Sequence, residues 1–146
     1  ETAGGQKNHV DRFLPNTPLR VLVNHAGDEV TEDYPLELFH RQLKPGRIDE
    51  LIKNETLVDA IIPSMIKTAT EVAEQLRLKA IEAALERMSQ SLDHEIGRLA
   101  YLHKRNNAIR PDEIRKAFDE KNILTTLIGD ARIRMDALQL IKEGGV

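Results

Sequence analysis

Residues 111–141 read PDEIRKAFDEKNILTTLIGDARIRMDALQLI, and this stretch decides the fold. Its apolar side chains recur every three or four residues, except that Lys121 occupies the position between Ala117 and Leu124. The apolar residues are Ile114, Ala117, Leu124, Ile128, Ala131, Met135, Leu138 and Ile141. This spacing places them on one face of an α-helix. The sequence therefore predicts an amphipathic helix over the whole stretch, with an apolar face that needs a partner.

A second helical pattern lies just upstream and supplies that partner. It runs from Ser64 to about Lys104, after Pro63, where we expect a kink or a short break in the helix. Only the segment RNNAIR, residues 105–110, separates the two patterns. Two helices joined by so short a turn pack side by side in opposite directions. We therefore expect a long antiparallel helical hairpin.

The turn signals also predict which side chains meet across the hairpin. Pro111 suits the first position of a helix, so the second helix should begin there. A turn centred near residue 108 places Leu92 opposite Leu124 and Met88 opposite Ile128. All four side chains are apolar, which supports this register.

The N-terminal part of the chain has a different pattern. Leu19, Val21 and Val23 alternate with other residues after Pro18, which is typical of a β-strand. Turn-forming residues follow, and residues 29–34 then offer a short return strand. The sequence predicts a small antiparallel sheet here.

Taken together, these patterns predict an α+β fold that is mostly helical. A small N-terminal antiparallel sheet would pack on the long antiparallel helical hairpin. The expected organisation is a disordered lead-in at 1–9, one domain at 10–142 with a strand region at 10–46 and helices at 47–142, and a tail at 143–146.

Composition narrows the class of protein. The chain is 40% hydrophobic and 31% charged, which is a globular balance. It has no Cys, which excludes disulfides and fits a reducing cytoplasm. A net charge of −3 argues against nucleic-acid binding by the whole surface, and no apolar run approaches the roughly 18 residues that span a membrane. The chain opens without Met, and we read it as a piece of a longer protein or as an artificial end.

Four segments resemble one known family. They are FLPNTPLRVLV at 13–23, LFHRQL at 38–43, NNAIRPDEI at 106–114 and ARIRMDALQLI at 131–141. In this order they are similar to the C-terminal domain of the RapA family, the bacterial RNA polymerase-associated Swi/Snf-type ATPases that recycle RNA polymerase. The resemblance implies a cytoplasmic, nucleoid-associated parent that binds core RNA polymerase, with ATP and Mg²⁺ in motor lobes outside this chain.

Reaction chemistry is not visible in the sequence. No G-x-x-x-x-G-K-[ST] phosphate loop is present. His94 and Glu95 begin like a zinc-protease helix, but Arg98 stands where the second His is required. We expect a non-catalytic accessory domain without cofactor or metal, which docks on core RNA polymerase or on its own motor domains. A free-standing helical-hairpin adaptor unrelated to transcription is the alternative.

One basic patch contrasts with the acidic total. Six residues between 98 and 110 form the candidate contact for nucleic acid or an acidic polymerase surface, and no acid interrupts them: Arg98, Tyr101, His103, Lys104, Arg105 and Arg110. The simpler interpretation is that cations are favourable at the C-terminus of a helix, whose dipole is negative there. Both interpretations stay open at this point.

Overall fold

Two helices dominate the computed structural model, which describes residues 9–106, 109–142 and 144. A 3₁₀ turn at Val10–Arg12 and a π-helical turn at Leu57–Ile61 accompany four α-helices: Leu36–Gln42 (α1), Asp49–Ile52 (α2), Ile62–Arg105 (α3) and Pro111–Gly129 (α4). None of the helices in the described ranges is both long and apolar enough to cross a membrane.

Helices α3 and α4 lie side by side and run in opposite directions. His103 on α3 contacts Ile109 just before α4, while Asp93 pairs with Lys121 further along. Along one direction of the pair, residue numbers decrease on α3 and increase on α4, which is the antiparallel arrangement. The four side chains of the predicted register, Met88, Leu92, Leu124 and Ile128, all belong to one buried cluster and are at most 6% exposed.

The N-terminal segment completes this core. Phe13 is only 6% exposed and belongs to the same cluster as Met88 and Leu124. The Arg87 guanidinium donates to the Phe13 carbonyl oxygen at 3.0 Å, and Arg12 donates to the Ser91 hydroxyl at 3.3 Å. Both bonds run to α3, so the segment is held against the helix pair through a buried aromatic ring and two arginines.

The prediction of an N-terminal antiparallel sheet is wrong, because no strand occurs in the residues that the structure describes. A single antiparallel bridge joins Val23 to Glu29. The Val30 N–H donates to the Leu22 carbonyl oxygen at 2.8 Å, but the Leu22 N–H donates to the Thr31 hydroxyl at 2.9 Å instead of returning the bond to Val30. A ladder cannot grow from backbone groups that already have side-chain partners.

The second helix is shorter than predicted, ending at Gly129 instead of reaching Ile141. Glycine is a poor helix former, and the Asp130 N–H makes the last bond of α-helical spacing, to the Thr126 carbonyl oxygen at 3.0 Å. Beyond it, the Arg77 guanidinium donates to the Ala131 carbonyl oxygen at 2.9 Å. In a continuing helix that oxygen would accept from Met135, so the arginine stabilises the exit from the helix.

The interruption predicted at Pro63 takes the form of a π-helical turn. Residues Leu57–Ile61 form this turn, and α3 follows directly with Pro63 near its start. Proline lacks an N–H and its ring crowds the carbonyl four residues earlier, which is that of Asp59. The wider π turn accommodates this loss without ending the helix.

Parts of the predicted organisation lie outside the described residues. Of the lead-in at 1–9 only His9 is described, and of the tail at 143–146 only Gly144. The division of the chain into lead-in, domain and tail stays a prediction.

Candidate interaction surface at the hairpin tip

The hairpin tip brings the last turn of α3 next to the first turn of α4. His103, Lys104 and Arg105 occupy the C-terminal turn of α3, where positive charge is favourable. Helix α4 begins at Pro111 with Asp112 in its first turn, where negative charge is favourable. The dipole of each helix therefore stabilises the charges at its own end of the tip.

His103 fixes the connection between the two helices. Its Nδ1 lies 2.6 Å from the Ile109 carbonyl oxygen, and the imidazole is half-buried. A carbonyl oxygen only accepts, so Nδ1 carries the hydrogen and donates it. His103 is thus a structural element of the tip, and its Nδ1 is engaged within the protein.

Tyr101 and Arg105 form an exposed pair one helical turn apart. The Arg105 guanidinium carbon lies 4.9 Å from the centre of the Tyr101 ring, and Tyr101 is 54% exposed. This is the geometry of a cation–π contact, which holds the arginine against the ring. The pair presents a flat aromatic surface and a positive charge together.

Arg98 differs from the other basic residues of the patch. Its guanidinium makes two bonds to Glu95, at 3.0 and 2.7 Å. This hydrogen-bonded pair lowers the pKa of the Glu95 carboxyl and raises the pKa of Arg98 above its ordinary value. The acid lies outside the acid-free interval, so the sequence pattern does not reveal that Arg98 is neutralised.

The remaining cations form what we call the basic tip, namely Lys104, Arg105 and Arg110. All three are exposed, and none takes part in an ion pair among the described residues. Asp112, the acid nearest to Arg110 in the sequence, pairs with Arg115 at 2.8 Å. The structure thus brings part of the predicted patch together as free positive charge on an exposed surface.

The described residues contain no cluster of metal-binding side chains. Throughout 9–106, 109–142 and 144, no three His, Cys, Asp or Glu side chains are grouped so that they could hold a metal ion. A shallow, open hollow on α4 is lined by two amide or hydroxyl residues and two aliphatic ones, Asn122, Ile123, Thr126 and Leu127.

Sequence reasoning missed Arg77, whose bond to Ala131 directs the chain after α4. The position of Arg77 in the sequence gives no signal of this bond, because many other charged residues lie on the same helix. The extended course of 131–142 does have a signal, since Ile133, Met135 and Ala137 alternate with charged residues.

Comparison with known proteins places the chain in a family. The family described as RNA polymerase recycling family C-terminal matches residues 1–142. The chain therefore belongs to this family of C-terminal domains.

The curated relatives carry a particular name. The RNA polymerase-associated protein RapA of Vibrio campbellii is 32% identical over 136 residues, which is 93% of this chain. Those of Vibrio cholerae and Photobacterium profundum are 34% and 36% identical, over 93% and 90% of the chain. The chain covers 14% of the length of each of these three proteins.

Proposed function

We propose that this chain is the non-catalytic accessory C-terminal domain of an RNA polymerase-associated, ATP-dependent Swi/Snf-type protein that recycles RNA polymerase in transcription. The observation that carries the proposal is the family match over residues 1–142. The relatives bear the name RNA polymerase-associated protein RapA, and the chain corresponds to 14% of their length. A free-standing adaptor unrelated to transcription has no such support.

The proposal assigns ATP turnover to motor lobes elsewhere in the longer protein. ATP with Mg²⁺ needs a loop of backbone N–H groups around the phosphates and side chains that hold the metal. This sequence has no phosphate loop, and its helical hairpin is built from an apolar seam and solvated outer faces. The domain contributes binding, and its site of work is the bacterial cytoplasm beside the nucleoid.

Core RNA polymerase is the proposed partner, with the protein's own motor domains as a further contact. The basic tip supports an acidic docking surface, since Lys104, Arg105 and Arg110 are exposed without ion pairs in the described structure. The Tyr101–Arg105 pair adds an exposed ring that can stack on a base, so nucleic acid is a second ligand for the same surface.

A titration of the chain with core RNA polymerase tests the proposal. The chain carries a dye and is titrated with core polymerase, and in parallel with duplex and single-stranded DNA, at low and at high salt. Saturable binding to polymerase is the expected result, with weakening at high salt because charge contributes to it. Binding to DNA alone, or to neither, contradicts docking on polymerase by this domain.

A further inference from the structure

The chain continues beyond α4 without regular structure. No helix, turn or bend interrupts residues 131–142, so this segment, which we call the C-terminal strand segment, runs extended. Within the described part of the chain, no N–H or C=O group of residues 132–142 bonds to another backbone group. An extended segment with free backbone donors and acceptors is a template for a neighbouring β-strand.

Its side chains alternate as those of a strand do. Ile133 and Met135 lie on one side, and Arg134 and Asp136 lie on the other. The ion pair between Arg134 and Asp136, at 2.8 Å, confirms that these two side chains share a side. Met135 is 62% exposed and Ile133 is 37% exposed. The segment thus has one apolar side that nothing in the described structure fully covers.

The C-terminal strand segment is held at its start. At its start the Ala131 carbonyl oxygen accepts from Arg77, whose side chain is only 14% exposed. Near its end Gln139, Leu140 and Ile141 line a hollow of about 360 Å³ together with residues 43–45. Since a segment that is fixed beforehand loses less entropy when it binds, it is prepared to accept a partner.

We propose that residues 132–138 pair with a β-strand supplied by the remainder of the longer polypeptide. The incoming strand has apolar residues on the side of Ile133 and Met135. The inference rests on the proposed function, in which this chain is one domain of a longer protein. Because the chain covers 14% of its relatives, most of their length is available to provide this strand. A strand tethered in the same polypeptide acts at millimolar effective concentration, which favours it over a separate molecule.

A second copy of the chain is the main competitor for this edge. In an antiparallel pair centred on Met135, Arg134 of one copy would face Asp136 of the other, so charge does not exclude it. Such pairing depends on protein concentration, whereas pairing within one polypeptide does not. This difference makes the two occupants separable by experiment.

Hydrogen–deuterium exchange on the full-length protein tests the proposal. Amides of 132–138 should exchange roughly 100-fold more slowly in the full-length protein than in this chain alone. Amides around Met88 report folding of the core in both samples. Fast exchange at 132–138 in the full-length protein overturns the proposal. So does protection in the isolated chain that rises with concentration, which identifies a second copy, or protection that requires added core polymerase.

Two variants of the full-length protein sharpen the result. Met135→Asp places a charge on the apolar side, so the amides of 132–138 should exchange at least roughly tenfold faster than in the unmodified full-length protein. Arg132→Ala, on the opposite side, is the matched control and should retain it. Equal protection in both variants overturns burial of the Met135 side. Polymerase binding is measured separately, so loss of that binding with strand protection intact contradicts the proposed function alone.

Discussion

Lys121 on α4 reaches across the hairpin to Asp93 on α3, and its Nζ lies 2.6 Å from the Asp93 carboxylate. Asp93 also accepts a hydrogen bond from the Ser89 hydroxyl at 3.1 Å. The bond from Lys121 is the largest cause of a lowered pKa for the Asp93 carboxyl, followed in the same direction by Ser89. This pair is a direct polar link between the two helices.

The Asp93–Lys121 pair predicts a specific pH dependence of stability. A carboxyl whose pKa is lower in the folded state stabilises the fold above its unfolded pKa, near 3.8, and this contribution is lost as the pH falls through the folded value. Asp93→Asn should therefore lower the melting temperature slightly at pH 7, and the difference from the unmodified protein should shrink below about pH 4. Thermal melts from pH 7 to pH 2 measure it.

Asp119→Asn is the control for this series, because Asp119 takes part in no ion pair among the described residues. Its melting temperature should follow that of the unmodified protein across the pH range. A constant difference between Asp93→Asn and the unmodified protein down to pH 2 would show that the pair does not contribute through the charge of Asp93.

Two neighbouring residues of α4 should differ sharply in their contribution to stability. Leu124 is completely buried and Ile123 is 45% exposed. Leu124→Ala removes buried methyl groups and leaves a cavity, so the free energy of unfolding should fall by about 2–5 kcal/mol. Ile123→Ala should cost less than ~1 kcal/mol. Urea unfolding of both variants measures the difference, and equal losses would mean that α4 packs on another face.

The seam of the hairpin could be predicted because helical periodicity alone determines it. Met88, Leu92, Leu124 and Ile128 repeat with the period of a helix, and the short turn sets their register. The structure after Gly129 could not be predicted, because the apolar residues there fit both the period of a helix and the period of a strand. Ala131, Met135 and Leu138 match a helix, while Ile133, Met135 and Ala137 match a strand.

The other outcomes were decided by side-chain bonds that form only in the folded chain. The alternation at residues 19–23 is real, but the Thr31 hydroxyl accepts from the Leu22 N–H that a sheet would use. At the candidate site the positive charges followed from the sequence. The pairing of Arg98 with Glu95 did not, because it depends on which rotamers the folded helix permits.

Arg77 should control how firmly the chain is held after α4. Arg77→Met keeps the aliphatic length but removes the donors that bind the Ala131 carbonyl oxygen. The Ala131 amide, which donates to the Ile128 carbonyl oxygen at 3.1 Å, should exchange several-fold faster, with little change in the protection of the core. Glu74→Gln is the control, since it removes the acid that pairs with Arg77 and leaves the bond to Ala131. Similar exchange in all three proteins would contradict an anchoring role for Arg77.

The last prediction separates binding at the basic tip from stability. Arg105→Ala should change the free energy of unfolding by less than ~0.5 kcal/mol, because the side chain is exposed. Replacing Lys104, Arg105 and Arg110 together by Ala should weaken binding to core RNA polymerase, more at low salt than at high salt. Arg98→Ala should weaken it less, because Glu95 already neutralises Arg98. Melts and salt-dependent titrations measure both properties. If the triple variant binds as tightly as the unmodified chain, the tip is only a solvated helix end; if Arg98→Ala weakens binding equally, the ion pair opens in the complex.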